Sequence, residues 1–84
     1  MARVLHLLKD PENRTALEMV ALQGRDPRIS LAVVLLQAAA RARLAAPLPG
    51  EVYRLDDEGA SPSPGIDHAR LLELIFEADT VVTW

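Results

Sequence analysis

Two uninterrupted apolar runs constrain the fold of this chain more than any other feature. The first, "RVLHLL", spans 3–8, and the second, "ISLAVVLL", spans 29–36 and is rich in β-branched residues. Runs of this length without polar alternation are typical of strands that are buried on both faces. Strands of this kind belong to parallel sheets whose two faces are covered by helices, so the runs predict an α/β fold.

The segment between the two runs carries the signals of a helix. Asp10 is the predicted N-cap, and Pro11 takes the first helical position, where its missing N–H is tolerated. Gly24 is the predicted end of the helix. One apolar stripe runs along it, made of Leu17, Val20 and Ala21.

The segments after the second run continue this alternation. "QAAARARLAA" (37–46) favours a short helix, which Pro47 and Pro49 end. "EVYRL" (51–55) is typical of a brief strand. The following segment, 56–65, combines acids with Gly, Ser and Pro, which predicts a loop.

A last helix and a last strand complete the pattern. Asp67 is the predicted N-cap of a helix over about 68–78, and "TVVTW" (80–84) is a β-prone run. The order β-α-β-α-β-α-β predicts one domain, 1–84, with three layers (α/β/α) and a mostly parallel four-stranded sheet. Among the topologies with right-handed crossovers we expect the flavodoxin-like one, with strand order 2-1-3-4.

Composition narrows the classes of function. The chain has 84 residues, no Cys, two His and a net charge of −3. Without Cys it has neither disulfides nor thiolate metal ligands, and two His are too few for a structural zinc site. No basic stretch is long enough to follow a nucleic-acid backbone, so we expect no direct binding of nucleic acid. No apolar run reaches about 18 residues, so we expect a cytoplasmic protein that does not bind membranes directly. A core this small is often supplemented by oligomerisation.

The last predicted helix has more apolar surface than a single core requires. Its apolar residues span an arc of about 200°, against about 100° for a helix that packs on one core. They are Leu71, Leu72, Leu74, Ile75 and Phe76. In one interpretation the sheet wraps around the helix and half-buries Leu72 and Phe76. In the other, which we favour, Leu72 and Phe76 contact another subunit together with His68 and Trp84.

The polar residues predict no catalytic apparatus. The sequence has no Cys nucleophile, no Gly-rich phosphate loop and no evident pair of facing carboxylates. We therefore predict no catalytic residue, no metal ligand and no cofactor. An enzyme that uses His6 or His68 as acid or base ranks last, because neither has an orienting carboxylate close in sequence.

Three residues are candidates for ligand binding. His6 lies within a predicted strand and is interpreted first as a core side chain hydrogen-bonded to a neighbour, with ligand contact as the alternative. Arg41 and Arg43 follow the second strand, at the carboxyl edge where open α/β sheets bind ligands. They are either solvated or in contact with an anion or an acidic partner. The acids of 56–58 are interpreted as a solvated loop.

Four segments together resemble one known family. They are "VLHLL", "VVLLQ", "VYRLDDE", and the stretch from Ile66-Asp67 through Leu72 and Leu74 to Trp84 as last residue. In this order they resemble the DsrH/TusB branch of the DsrE/DsrF/DsrH-like sulfur-relay proteins over nearly the whole chain. The sequence departs from that branch at 37–39, where Gln-Ala-Ala replaces a Gln-Asp-Gly or Gln-Asn-Gly turn. The loop before Ile66 is also shortened and rich in Pro.

The resemblance implies a function without chemistry of its own. Some relatives in that family hand on sulfur through a Cys persulfide, which this chain cannot form because it has no Cys. What is implied is a non-catalytic subunit that packs against Cys-bearing DsrE- and DsrF-like partners, in tRNA 2-thiouridine synthesis or sulfur oxidation. The alternative is a stand-alone homo-oligomer of the same fold that binds a small anion or another ligand.

Overall fold

The computed structural model describes residues 2–41, 48–55 and 66–84. The strands and helices alternate in the predicted order. The strands are β1 (Ala2–Leu8), β2 (Ile29–Leu35), β3 (Glu51–Arg54) and β4 (Thr80–Thr83), and the helices are α1 (Arg14–Gln23), α2 (Gln37–Arg41) and α3 (His68–Glu77). The predicted helix over 37–46 is thus confirmed as far as Arg41, and 42–47 lie outside the described residues.

All four strands are parallel, in the spatial order β3-β2-β1-β4. The predicted α/β class with a four-stranded parallel sheet is confirmed, but the expected strand order 2-1-3-4 is wrong. In the structure β3 adds to the outer side of β2, and the chain reverses only after β3, when it crosses to place β4 beside β1. Right-handed crossovers permit both orders, so sequence periodicity alone does not distinguish them. The observed order begins like that of the doubly wound dinucleotide-binding folds.

One face of the sheet packs against α1 and α2. β1 and β2 contribute alternate side chains to this core, and Val20 of α1 is fully buried against them. The core residues of this face are Val4, Leu8, Ala16, Val20, Leu31, Val33, Leu35 and Ala39. Of the stripe predicted for α1, Val20 is buried and Leu17 is half-buried, but Ala21 is exposed.

The N-cap of α1 also differs from the prediction. Asn13, not Asp10, is the N-cap: its side-chain oxygen accepts a 3.1 Å hydrogen bond from the N–H of Ala16. Asp10 instead accepts from the N–H of Glu12 and holds a turn that precedes the helix. Both residue types cap helices, so the prediction chose the wrong one of two suitable caps. The packing of α1 on the sheet buries Ala16, rather than Ala21, together with Val20.

The other face of the sheet packs against α3. Leu5, Val34 and Leu74 form the centre of this second core. Asp67 caps α3 as predicted, since its side chain accepts a 2.8 Å hydrogen bond from the N–H of Arg70. Within the described residues α3 is the only helix on this face, and it contacts β1. Parts of β2 and β3 are therefore left uncovered.

Candidate functional site

A buried polar cluster joins His6, Gln23 and Trp84. The ring of His6 is fully buried. Its Nε2 lies 2.5 Å from Oε1 of Gln23, and its Nδ1 accepts a 2.9 Å hydrogen bond from the indole N–H of Trp84. An indole nitrogen only donates, so Nδ1 carries no proton and the neutral imidazole holds its proton on Nε2, from which it donates to Gln23. The two rings also stack, with centroids 6.0 Å apart and an angle of 13° between their planes.

The contacts in this cluster distinguish between the two roles predicted for His6, a core side chain and a ligand contact. The prediction of a hydrogen-bonded core His is confirmed, because both ring nitrogens have partners inside the chain. A ligand would reach either nitrogen only by displacing Gln23 or Trp84. Trp84 is half-buried against the α1/α2 core, and the polar partner of its N–H is His6 of its own chain. Contact of Trp84 with another subunit stays a prediction, limited to the exposed part of its ring.

Of the two arginines predicted to bind a ligand at the carboxyl edge of the sheet, the structure describes only Arg41. Arg41 lies in the last turn of α2, is exposed and already has interaction partners. Arg43 and the acids of 56–58 lie outside the described residues. Anion binding by Arg41 and Arg43 therefore stays a prediction.

A pocket of about 270 Å³ opens at the opposite, amino edge of the sheet, between α3 and the starts of β1, β2 and β3. It exists because α3 leaves β2 and β3 uncovered and because β2 presents only small side chains there, Ser30 and Ala32. The exposed lining of the pocket is mainly polar, and its rim is charged. Its lining residues are Arg3, Val4, Leu5, Ser30, Ala32, Glu51, Tyr53, Arg70, Leu74, Glu77 and Ala78.

The charged and polar groups of the rim are paired within each wall of the pocket, on β3 and on α3. The hydroxyl of Tyr53 donates to Oε2 of Glu51 at 2.8 Å, and this bond, together with desolvation, raises the pKa of Tyr53. Arg70 of α3 acts in the opposite direction on that pKa. Arg70 donates to Glu73 at 2.8 Å and lies 3.8 Å from Glu77, and these acids raise the pKa of its guanidinium. The charges of the rim therefore largely compensate one another.

Arg3 is the exception within the pocket. Its backbone N–H bonds Asp79, but among the described residues its guanidinium has no hydrogen-bonding or ion-pair partner. Sequence reasoning did not find this pocket, because its lining comes from β1, β2, β3 and α3 together. The one local signal was the pair of small residues, Ser30 and Ala32, in an otherwise bulky strand.

The flank of α3 that faces away from the pocket is apolar and exposed. Arg70 and Glu77 face the pocket over β2 and β3. At about 100° per residue, Leu72 lies across the helix from Arg70, on the β4 side, and Phe76 lies across from the buried Leu74 and points away from the sheet. Leu72 is 55% exposed and Phe76 is 85% exposed. These two residues are called the α3 outer flank below. The sheet does not wrap around the helix to cover them, so the interpretation that it half-buries Phe76 is wrong. His68, in the first turn, is exposed and has interaction partners.

Comparisons with known proteins leave the resemblance to the sulfur-relay family as a prediction. No protein-family model, no curated protein and no solved structure matches the chain. Within the described residues, no three His, Asp or Glu side chains are grouped so that they would hold a metal ion. No helix of the described segments has the length and apolar character needed to cross a membrane.

Proposed function

We propose that this chain is a non-catalytic assembly subunit of a cytoplasmic sulfur-relay complex, of the kind formed by DsrH/TusB-like proteins. The observation that carries the proposal is the α3 outer flank, where a Phe that is 85% exposed lies beside a Leu that is 55% exposed. Neighbouring exposed side chains of this size are typical of a surface that another chain covers. The flank is in the segment with the closest resemblance to that family.

The division of labour in such a complex follows from composition. The chain has no Cys, so a persulfide would be carried by DsrE- and DsrF-like partners. His6 is fully buried, and both of its ring nitrogens form hydrogen bonds within the chain, which supports a structural role. The product of the relay is thiolated tRNA or oxidised sulfur, and the contribution of this subunit is to complete the assembly.

The test measures the mass of the complex that the chain forms with DsrE- and DsrF-like proteins from the same cell. We expect the wild-type chain to co-purify with them, and the variant Leu72→Gln/Phe76→Gln to give a smaller species. Leu22→Gln is the matched control, because Leu22 is a comparably exposed Leu, at 63%, on α1 across the sheet. A wild-type chain that binds neither protein would refute the proposed function.

The amino-edge pocket favours a second candidate function, binding of a small molecule. Its rim carries two Arg and two Glu, so neither a strong anion nor a strong cation is preferred overall. The guanidinium of Arg3, which has no partner among the described residues, suits a carboxylate, and the carboxylates of Glu51 and Glu77 on the same rim suit an ammonium group. A zwitterion of amino-acid or dipeptide size fits this combination.

Amide chemical shifts during titration with a panel of amino acids and dipeptides test this second function. We expect changes confined to the starts of β1, β2 and β3, weakened by Arg3→Gln but not by Arg14→Gln, an exposed Arg at the start of α1. Shifts that are absent throughout the panel, or equal in both variants, count against the pocket as a binding site.

A further inference from the structure

The two edges of the sheet differ in how they are protected. At the β3 edge, Glu51 and Arg54 are charged, and the carbonyl of Arg54 accepts a 2.8 Å hydrogen bond from the N–H of Ile66, which pairs beside the strand. Charges and a covering segment are common ways in which proteins prevent the edge of a sheet from pairing. The β4 edge has neither: Thr80–Thr83 contains no charged residue and pairs only with β1 in the described structure.

The unprotected edge lies next to the α3 outer flank. Val81 is 39% exposed and pairs with Leu5, a core residue of the α3 face, so its side chain is on the same face of the sheet as α3. An open strand edge and an apolar surface therefore adjoin. In doubly wound sheets with this strand order, a further strand takes the place beside β4. The described residues put no strand there.

We infer that the occupant of this place is the β4 of a second copy of the chain, paired antiparallel about a two-fold axis near Val81. The inference rests on the proposed assembly function and names the partner at the α3 outer flank. The result is one continuous eight-stranded sheet with the β4 strands of both copies at its centre. An axis perpendicular to the sheet keeps both α3 helices on the same face, so the two outer flanks point toward each other.

The spacing of the elements suits this arrangement. Because α3 contacts β1, the two α3 helices lie three strand spacings apart, or about 14 Å. Helices in direct contact lie about 8–10 Å apart, so side chains have to fill the space between them. Leu72 of both copies projects into this space above the two Val81 side chains, and the Phe76 side chains cover it from the solvent side.

The distribution of charge favours a second copy as the occupant, and the exposed apolar area indicates how tightly it binds. Each chain carries a net charge of −3, but its α3 charges, Arg70, Glu73 and Glu77, lie on the flank away from the axis. Two identical copies therefore meet without like charges in contact. Leu72, Phe76 and Val81 expose together about 300 Å² of apolar side chain per copy, judged from typical side-chain areas. Over two copies this is about 600 Å², below the roughly 1,200 Å² of standard interfaces, so we expect a weak dimer with a dissociation constant in the micromolar range or above.

Sedimentation of the purified chain alone, across a micromolar concentration series, tests the dimer. We expect the mass to rise from one protomer to two, and Val81→Lys to raise the dissociation constant at least tenfold by placing two like charges at the axis. Val52→Lys is the matched control: Val52 is 41% exposed on the other edge strand, and this change should leave the constant within twofold. Phe76→Gln, at a side chain outside the core, should weaken the dimer even if Val81→Lys disturbs folding.

The outcomes separate the inference from the proposed function. A wild-type chain that stays monomeric at high micromolar concentration overturns the inference, and so does a Val52→Lys change that weakens the dimer as much as Val81→Lys. If a monomeric chain still binds DsrE- and DsrF-like proteins, the proposed function stands while the inference fails. A dimer sensitive to Val81→Lys that binds neither protein keeps the inference and refutes the function.

Discussion

The indole N–H of Trp84 donates a 2.9 Å hydrogen bond to Nδ1 of His6, across 78 residues of sequence. This bond and the stacking of the two rings fasten the end of the β4 strand to the interior of the α1/α2 core. Together with Gln23 it satisfies every hydrogen-bonding position of a fully buried imidazole. Among the described residues no buried side-chain nitrogen or oxygen is left without a partner.

Trp84→Phe should lower the free energy of unfolding by about 1–3 kcal/mol, because it leaves the buried Nδ1 of His6 without a donor. Urea denaturation followed by far-ultraviolet circular dichroism measures the change, since Trp84 is the only Trp and its fluorescence disappears. In a His6→Leu background the same substitution should cost clearly less, because the acceptor is gone. Strictly additive costs would contradict the coupling of these two residues.

Gln37→Gly should stabilise the fold by about 0.5–1 kcal/mol. Gln37 follows β2 with a φ of 51°, a left-handed conformation that costs a residue with a side chain about 1–2 kcal/mol, whereas Gly adopts it freely. Ala38→Gly, one residue further into α2, is the control and should destabilise by up to about 1 kcal/mol. Thermal unfolding of both variants measures the difference, and a destabilising Gln37→Gly would show that the side chain of Gln37 matters more than its backbone.

Gly50→Ala should destabilise the protein by at least about 2 kcal/mol. Gly50 has a φ of 80°, and a Cβ added there would lie 2.4 Å from the carbonyl oxygen of Leu31. The backbone of β2 has to move to relieve this contact, because no flexible side chain is involved. Denaturant unfolding measures the loss, and a cost below about 0.5 kcal/mol would mean that β3 begins differently from the structure described.

Glu51→Gln should lower the pKa of Tyr53, because the hydrogen bond to Glu51 is the main cause that raises it. Arg70→Gln should raise the same pKa further, since Arg70 acts in the opposite direction. Tyr53 is the only Tyr, so the ultraviolet absorbance of tyrosinate during an alkaline titration reports on it alone. A pKa of Tyr53 that moves in the same direction in both variants would contradict the opposite effects assigned to Glu51 and Arg70.

The same pKa has a consequence for stability. A group whose pKa is raised on folding binds its proton more tightly in the folded state, so its contribution is fully present below the pKa of the unfolded chain. For Tyr53 that contribution is lost as the pH rises from about 10 through the higher pKa of the folded state. We therefore expect wild-type stability to fall in this alkaline window more steeply than that of Glu51→Gln.

Several local features could be predicted because a few neighbouring residues decide them. A strand that is buried on both faces needs apolar residues at nearly every position, as in "RVLHLL" and "ISLAVVLL". The central strands and the parallel α/β class were therefore predictable. Asp67 was predictable as a cap because its side chain serves N–H groups only a few residues away. The start of α1 was missed, since Asp10 and Asn13 are both suitable caps and the choice depends on how the helix packs on the sheet.

The sequence by itself determined which segments become strands and helices, that Cys chemistry is absent, and that α3 has surplus apolar surface. Only the tertiary structure decided the strand order, the pairing of His6 with Trp84, the amino-edge pocket and the contrast between the two sheet edges. The physical reason is the distance along the sequence over which each interaction acts. Periodicity and capping act within a turn or a strand, whereas strand order and pockets depend on which distant segments win the competition to pack together.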